Sequence, residues 1–388
     1  MAFKSKDATG NPMTSVVSDD LIKKLGQKGR GMQRYLEASK LYKPLNNYPV
    51  SLENGRVTYG EGYPITAMEK FLGYYDKAVN AAYAPSISIV TDFSIAKAFC
   101  RYIDVLGKDA VYLDGETNEK YMKRAKKALD YWRSINNISG SFQFIITRDK
   151  RYEKAKGLGE SAAVAAAVAR AFVANVFGVD ASKDDSFVSR YAKLVSGSGS
   201  RSATGGLSVW LSYPGIKEED SYGVRLPVDT TGLHFVVYPD FHTIETLNAH
   251  GIASSSPFYP AWITGKYDKV MKILEEKSLS AMMAQAQQDM FNLNALLLSG
   301  DGTVIQTDNS FRIIRHVLDF QKEGGRVFMT ADTGPSIVVM SDDESELERF
   351  IKEETATALR GKIPDTPKCV ASEVSINDAE SFFNSLRG

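Results

Sequence analysis

The sequence predicts an α+β protein of two domains, and three observations carry that reading. A chain of 388 residues exceeds one ordinary hydrophobic core. Strand-like and helix-like segments are mixed through both halves. A composition of 43% hydrophobic and 24% charged residues is that of a globular protein. Lysine plus arginine number 47, as do aspartate plus glutamate, so the formal net charge is zero. No global field therefore draws the chain to nucleic acid or to an anionic membrane. The opening MAFKSKDATGNP lacks the apolar core of a signal peptide. Cys100 and Cys369 are too few for a disulfide scaffold or a thiolate metal site. A cytoplasmic enzyme is the expectation.

Taken in order, residues 1–50 form a polar, basic extension in which LIKKLGQKGRGMQRYLEASKLYK suggests a helical arm with a solvated face. From Arg56, RVTYGEGYPI, SISIVTDF and DAVYLDGE read as strands bounded by turn residues. Tyr121 to Ile135 has helical spacing, and SFQFIITR follows as a strand. The most apolar stretch, Ser161 to Val179, is alanine-rich and broken by Arg170. It reads as a buried helix starting near Glu160 rather than a membrane span. A helix near Ser186 to Leu194 and the strand GLSVWLSY close a first domain over residues 51–225.

The second domain, 226–388, opens with the strand LHFVVYP. Helix is expected over most of Lys266 to Leu298 and over Ser310 to Gln321. RVFMTA and SIVVM read as strands about a DTGP turn, and Ser341 to Glu354 as a helix with Ser341 and Glu344 at capping-box spacing. A short helix ends the chain. Met282, Met283 and Met290 fall at helical spacing and read as core. His234, Asp240, His242 and His250 lie close in sequence but match no familiar ligand spacing, so no metal is assigned.

Two segments carry chemistry. SGSGSRSATGGLSVW, from Ser196 to Trp210, sets one arginine, Arg201, among small hydroxylated residues with Gly205-Gly206 ahead of a strand. Small residues let backbone approach an anion, and arginine offers a planar fork to a carboxylate or phosphate. KGLGESAA, from Lys156 to Ala163, joins a strand to the alanine-rich helix, an arrangement suited to anion binding. Glu160 stands where that helix begins. Its charge suits the helix dipole but opposes a phosphate. Two like charges about 4 Å apart at an effective dielectric near 20 repel by roughly 4 kcal/mol, about three orders of magnitude in affinity. Lys150, Arg151, Lys154 and Lys156 offset part of this. The segment reads as a nucleotide loop that has lost its nucleotide.

Four blocks in order then resemble the GHMP superfamily, and within it the diphosphomevalonate decarboxylases. GYPITAMEKFLGYYD, Gly62 to Asp76, is similar to the family's N-terminal segment and puts Lys70 on its active-site lysine. KGLGESAA is similar to the nucleotide loop, carried here by Gly157, Gly159, Glu160 and Ser161. SGSGSRSATGG is similar to SGSACRSLYGG and puts Ser196, Ser198 and Arg201 on the substrate-binding serines and arginine. TADTGPSIVV is similar to TFDAGPNAV and puts Asp332 on the catalytic aspartate. The resemblance implies the two-domain GHMP fold, an N-terminal α/β domain and a C-terminal ferredoxin-like domain with the active site in the cleft between. It also implies a homodimer.

Departures from the family pattern refine this. Glu160 replaces a hydroxylated residue, Tyr74 and Tyr75 replace a basic pair, and near TLNAHGI no second substrate arginine is found, with His250 only adjacent. Such a pattern resembles the branch of acidophilic archaea that decarboxylates mevalonate 3,5-bisphosphate without ATP, with no cofactor. ATP-dependent decarboxylation of the 5-diphosphate and small-molecule phosphotransfer are the alternatives. The resemblance gives Lys70, Arg201 and Asp332 catalytic roles and lets Ser196 and Ser198 orient the distal phosphate of a small mevalonate-derived substrate.

Overall fold

A computed structural model describes residues 17–117, 119–151, 157–241 and 246–385. In chain order, α1 (Asp19–Ala38) precedes β1 (Val57–Gly62), β2 (Ile65–Glu69), β3 (Tyr74–Asp76), β4 (Ala81–Ala82), β5 (Ser86–Val90), β6 (Ser94–Ile103), β7 (Ala110–Leu113) and β8 (Glu116–Thr117). Next come α2 (Glu119–Asn136), β9 (Ser141–Lys150), α3 (Glu160–Phe177), α4 (Val179–Lys183), α5 (Asp185–Val195), α6 (Gly199–Thr204), β10 (Leu207–Trp210) and β11 (Gly223–Arg225). The remainder is β12 (His234–Tyr238), α7 (Thr246–Ser255), α8 (Tyr259–Glu276), α9 (Leu279–Asp301), α10 (Asp308–Lys322), β13 (Phe328–Thr330), β14 (Ile337–Ser341), α11 (Glu344–Glu353), β15 (Leu359–Gly361) and α12 (Glu373–Ser385).

Three main sheets organise these elements. The first has the order β1-β6-β9-β7-β8, with β7 parallel to β9 and the other pairs antiparallel. The second, β11-β10-β5-β2, is antiparallel throughout. So is the third, β13-β14-β12-β15. The apolar helix α3 lies against the first sheet and is buried almost along its whole length, despite being long and apolar enough for a membrane span. Its alanines allow a close approach to β1, where Gly60 and Gly62 present bare backbone. A Cβ at Gly62 would sit 2.2 Å from the Ala163 carbonyl oxygen. Trp132, Phe142, Phe172 and Tyr191 fill the space between α2, β9, α3 and α5.

On β5, residues alternate in role. Ile87 and Ile89 join the largest core cluster, while Ser86 and Ser88 turn toward α6. That cluster also holds Met283, Leu293 and Ile263 from α9 and α8, and Phe235 and Val338 from the third sheet. One hydrophobic core therefore joins the two halves. The opposite face of the third sheet packs Val236 and Val339 on Ile313, Val317 and Phe350. Met282, Met283 and Met290 are all buried, as their spacing implied.

Several expectations need correction. β6 is a central strand that alternation did not reveal, because Lys97 and Arg101 interrupt its apolar residues. Buried Arg101 is satisfied by Gln143 at 2.7 Å and by the Phe383 carbonyl at 2.8 Å. Lys266 to Leu298 is mostly helical, as expected, in two helices that break at Lys277 in the left-handed region, with α9 restarting on a Ser278 cap. α11 starts at Glu344 on an Asp343 cap, not in a Ser341 capping box; Ser341 ends β14 and its hydroxyl bonds the Arg326 carbonyl. Between Ser196 and Trp210 the chain forms a short helix that the sequence reading did not assign, α6, and it carries Arg201. The helical arm is α1, and it is packed rather than free: Leu25, Met32 and Leu36 are buried in the main core. Residues 1–16 of the extension lie outside the described residues.

Candidate active site

The candidate site residues Lys70, Arg201 and Asp332 are carried by the end of β2, by α6 and by the turn after β13. Near the end of β2 the register to β5 shifts between Ala67 and Glu69, a bulge that redirects the following side chains. Lys70 follows directly and is buried. Its ammonium donates to the Thr330 hydroxyl at 2.7 Å and to the Ala67 carbonyl at 3.1 Å. The Ala67 N–H in turn donates to the Asp332 carboxylate at 3.2 Å. One residue of the bulge thus anchors both the lysine and the aspartate. Asp332 stands just past β13 and is partly exposed.

Arg201 enters from α6 and is almost wholly buried. Its Nε donates to the Ser88 hydroxyl at 2.7 Å and Nη1 donates to the Ser86 hydroxyl. The guanidinium lies 5.3 Å from the Phe71 ring centre and 5.9 Å from that of Trp210. These contacts fix the plane of the fork. Burial lowers its pKa to about 10, partly countered by the charge of Asp332, so it stays a cation at neutral pH. Burial also lowers the pKa of Lys70, opposed by Asp289 and Asp332. Asp332 is raised by burial, opposed by Lys70, the Ala67 N–H and Arg201. Lys70, Asp332 and Arg201 therefore share one electrostatic neighbourhood.

Ser196 and Ser198 flank the turn between α5 and α6, their hydroxyls 2.9 Å apart. The Gly197 N–H between them donates to the Tyr74 hydroxyl at 3.3 Å. The Tyr74 ring stacks on His250, with centroids 5.2 Å apart, and the His250 Nδ1 accepts the Gly73 N–H at 2.9 Å. Burial depresses the pKa of His250 to about 4, so this wall is neutral. Sequence reasoning had left His250 beside the site as a surface or core residue; the fold places it in the wall. His234 opens β12 and Asp240 bonds Thr307, so neither joins His250, and His242 lies outside the described residues.

The loop of Gly157, Gly159, Glu160 and Ser161 adjoins the same corner. A Cβ at Gly157 would lie 2.8 Å from the Gly334 Cα, so the loop presses on the turn that follows Asp332. Glu160 opens α3, with Lys150 at 2.9 Å and Arg148 at 3.6 Å. Its charge is therefore largely paired, and bare repulsion of a phosphate is weaker than the sequence suggested. Of the cations expected to offset it, Arg151 pairs instead with Asp92, and 152–156 lie outside the described residues.

Sequence reasoning missed a buried charge cluster behind Lys70. Lys266 of α8 lies 2.6 Å from Glu69 and 2.5 Å from Asp289 of α9, with all three side chains fully buried. It missed Ser86 and Ser88 as well. The signals were present: Asp289 falls on the apolar stripe of Met282, Ala286 and Leu293, Lys266 on that of Trp262, Ile263 and Val270, and the serines alternate with isoleucines.

Residues 62–223 match the family model described as a diphosphomevalonate decarboxylase-like N-terminal domain. The chain is 44% identical over 330 residues to the mevalonate 3,5-bisphosphate decarboxylase of Thermoplasma acidophilum, covering 85% of this chain and 81% of the relative. The chain belongs to the mevalonate 3,5-bisphosphate decarboxylase family. The family member from Thermoplasma volcanium is 46% identical over 330 residues, 85% of this chain and 88% of that one. The fold is shared more widely. Mevalonate diphosphate decarboxylase from Staphylococcus aureus superposes with a TM-score of 0.71 at 20% identity, covering 81% of this chain and 98% of its own. Mevalonate-3-kinase from Thermoplasma acidophilum gives 0.66 at 16% identity, covering 82% and 98% respectively. The α+β GHMP fold class expected from the motifs is the one found.

Proposed function

We propose that this protein decarboxylates mevalonate 3,5-bisphosphate to isopentenyl phosphate, CO2 and phosphate without ATP. The observation that carries the reading is the convergence of Lys70, Asp332 and Arg201 on one buried corner, in a chain 44% identical to a relative of that name. In the reaction the C1–C2 bond breaks and its electron pair becomes the C2–C3 double bond. The C3–O bond breaks as well, and phosphate leaves with the C3–O bonding pair. Positive charge develops at C3 as negative charge grows on the leaving group.

Each side chain has a task in that charge flow. The serine-held guanidinium of Arg201 keeps Nη2 without a protein partner among the described residues, and it binds the substrate carboxylate through charge-assisted hydrogen bonds. The ammonium of Lys70 favours the departing phosphate. Asp332 stabilises the cationic character at C3, a preorganised charge where charge develops. Ser196 and Ser198 orient the distal phosphate. The substrate sits in the cleft between domains 51–225 and 226–388. Over ATP-dependent decarboxylation this reading is favoured by the two relatives at 44% and 46% identity, both named for the 3,5-bisphosphate.

Two measurements test this. Purified protein should release CO2 and phosphate from the 3,5-bisphosphate with no nucleotide present; a strict requirement for ATP and Mg2+ would make it an ATP-dependent decarboxylase. Asp332→Asn should lower kcat by about 10²–10³, the scale of losing one preorganised electrostatic group. Turnover near that of the parent would remove Asp332 from the mechanism.

A further inference from the structure

We propose that Glu69, Lys266 and Asp289 are positioning residues for Lys70, a buried cluster that seats its backbone and sets the charge standing behind its ammonium. This inference rests on the proposed role of Lys70 in decarboxylation. Asp289 accepts the Lys70 N–H at 2.8 Å through Oδ2, and through Oδ1 it takes the Lys266 ammonium at 2.5 Å and the Trp262 indole N–H at 3.1 Å. Lys266 also donates to Glu69 Oε2 at 2.6 Å and lies 4.4 Å from the Trp262 ring centre. Glu69 Oε1 is buried without a hydrogen-bond partner.

For stability alone this arrangement is expensive. Burying charges costs more than an apolar packing of like volume often would, and an unpartnered carboxylate oxygen adds to that cost. It does supply a field at Lys70. With Glu69 ionised, two carboxylates face one ammonium and the cluster is net negative; with Glu69 protonated it is neutral. The charged groups around Glu69 are Lys266 and Lys269 from α8, Asp289 from α9, and Lys70 and Asp332 on the side of the site. Burial and the charge of Asp289 raise the pKa of Glu69 to about 7, against the pull of Lys266. Above neutral pH the cluster is therefore negative, which favours the ammonium form of Lys70 against its own burial.

The experiment is the pH profile of kcat/KM on the 3,5-bisphosphate for Glu69→Gln and Asp289→Asn. Each change keeps an acceptor; Asp289→Asn removes one negative charge throughout, and Glu69→Gln removes one above the pH of about 7 at which Glu69 ionises. The alkaline limb should move to lower pH by about one unit, as expected for losing a charge near a buried lysine. The plateau on its acid side should fall by less than about threefold, since a one-unit shift acts on the limb alone. Limbs that coincide with the parent in folded variants would overturn the proposal. So would failure of both variants to fold, which would make the cluster structural. Lys70→Met, assayed in parallel, separates the two inferences. If it turns over normally, the role of Lys70 itself fails; if it is inactive while Glu69→Gln keeps the parental limb, the cluster proposal alone fails.

Discussion

Arg201 illustrates how much one side chain depends on residues far away in sequence. Its guanidinium is held by Ser86 and Ser88 on β5 and by the faces of Phe71 and Trp210. A lysine cannot reproduce that fork, since it is a point charge on a flexible stem. Arg201→Lys should therefore lower kcat/KM by at least about 1.5–3 kcal/mol, the worth of a charge-assisted bond, or roughly ten- to a hundredfold. Steady-state kinetics against the parent decide this. His250 makes a second prediction. Its folded pKa, depressed to about 4 from 6.5, means the unfolded chain binds the extra proton first. Its contribution to stability is complete above 6.5 and is lost as pH falls toward 4. Thermal melts of His250→Gln should show a shallower acid-side decline than the parent over that window. The arginine and aspartate were legible because their motifs are local. The serines and His250 were not, because their partners come from other elements.

At the scale of elements, α3 against β1 shows why small residues recur here. The helix approaches so closely that Gly62 has no room for a methyl group, with the Ala163 carbonyl oxygen 2.2 Å from a built Cβ. Gly62→Ala should destabilise the fold by at least about 2 kcal/mol, the range of overpacked cores, read from denaturant midpoints at constant slope. The alanine-rich sequence made α3 legible, because an apolar helix of this length needs no tertiary partner to be recognised. β6 escaped because one of its faces mixes Lys97 and Arg101 with Ile95, Phe99 and Ile103, which blurs the polar–apolar contrast. Buried Arg101 is satisfied by bonds to Gln143 and the C-terminal helix α12. Helix starts were displaced for a similar reason. Asp343 and Ser278 cap α11 and α9 by bonds that nearby serines and acids could equally have offered.

Across the molecule, one core cluster runs from α1 through the second sheet to α8, α9 and the third sheet. The basic segment that sequence alone suggested as an arm is part of that core. Lys28 of α1 also lies 2.5 Å from Asp268 of α8. Deleting residues 1–38 would withdraw Leu25, Met32 and Leu36, each worth about 1.5–3 kcal/mol of burial before ordering entropy is offset. A clear fall in melting temperature is expected, and a truncated protein as stable as the parent would refute the packing role of α1.

Taken alone, the sequence determined the α+β class, the buried alanine helix and the candidate residues Lys70, Arg201 and Asp332, because periodicity and short motifs are local properties. Only the tertiary structure decided which groups stand behind them. Glu69, Lys266 and Asp289 lie far apart along the chain, and their charges are tolerable only where folding closes them on one another and away from water.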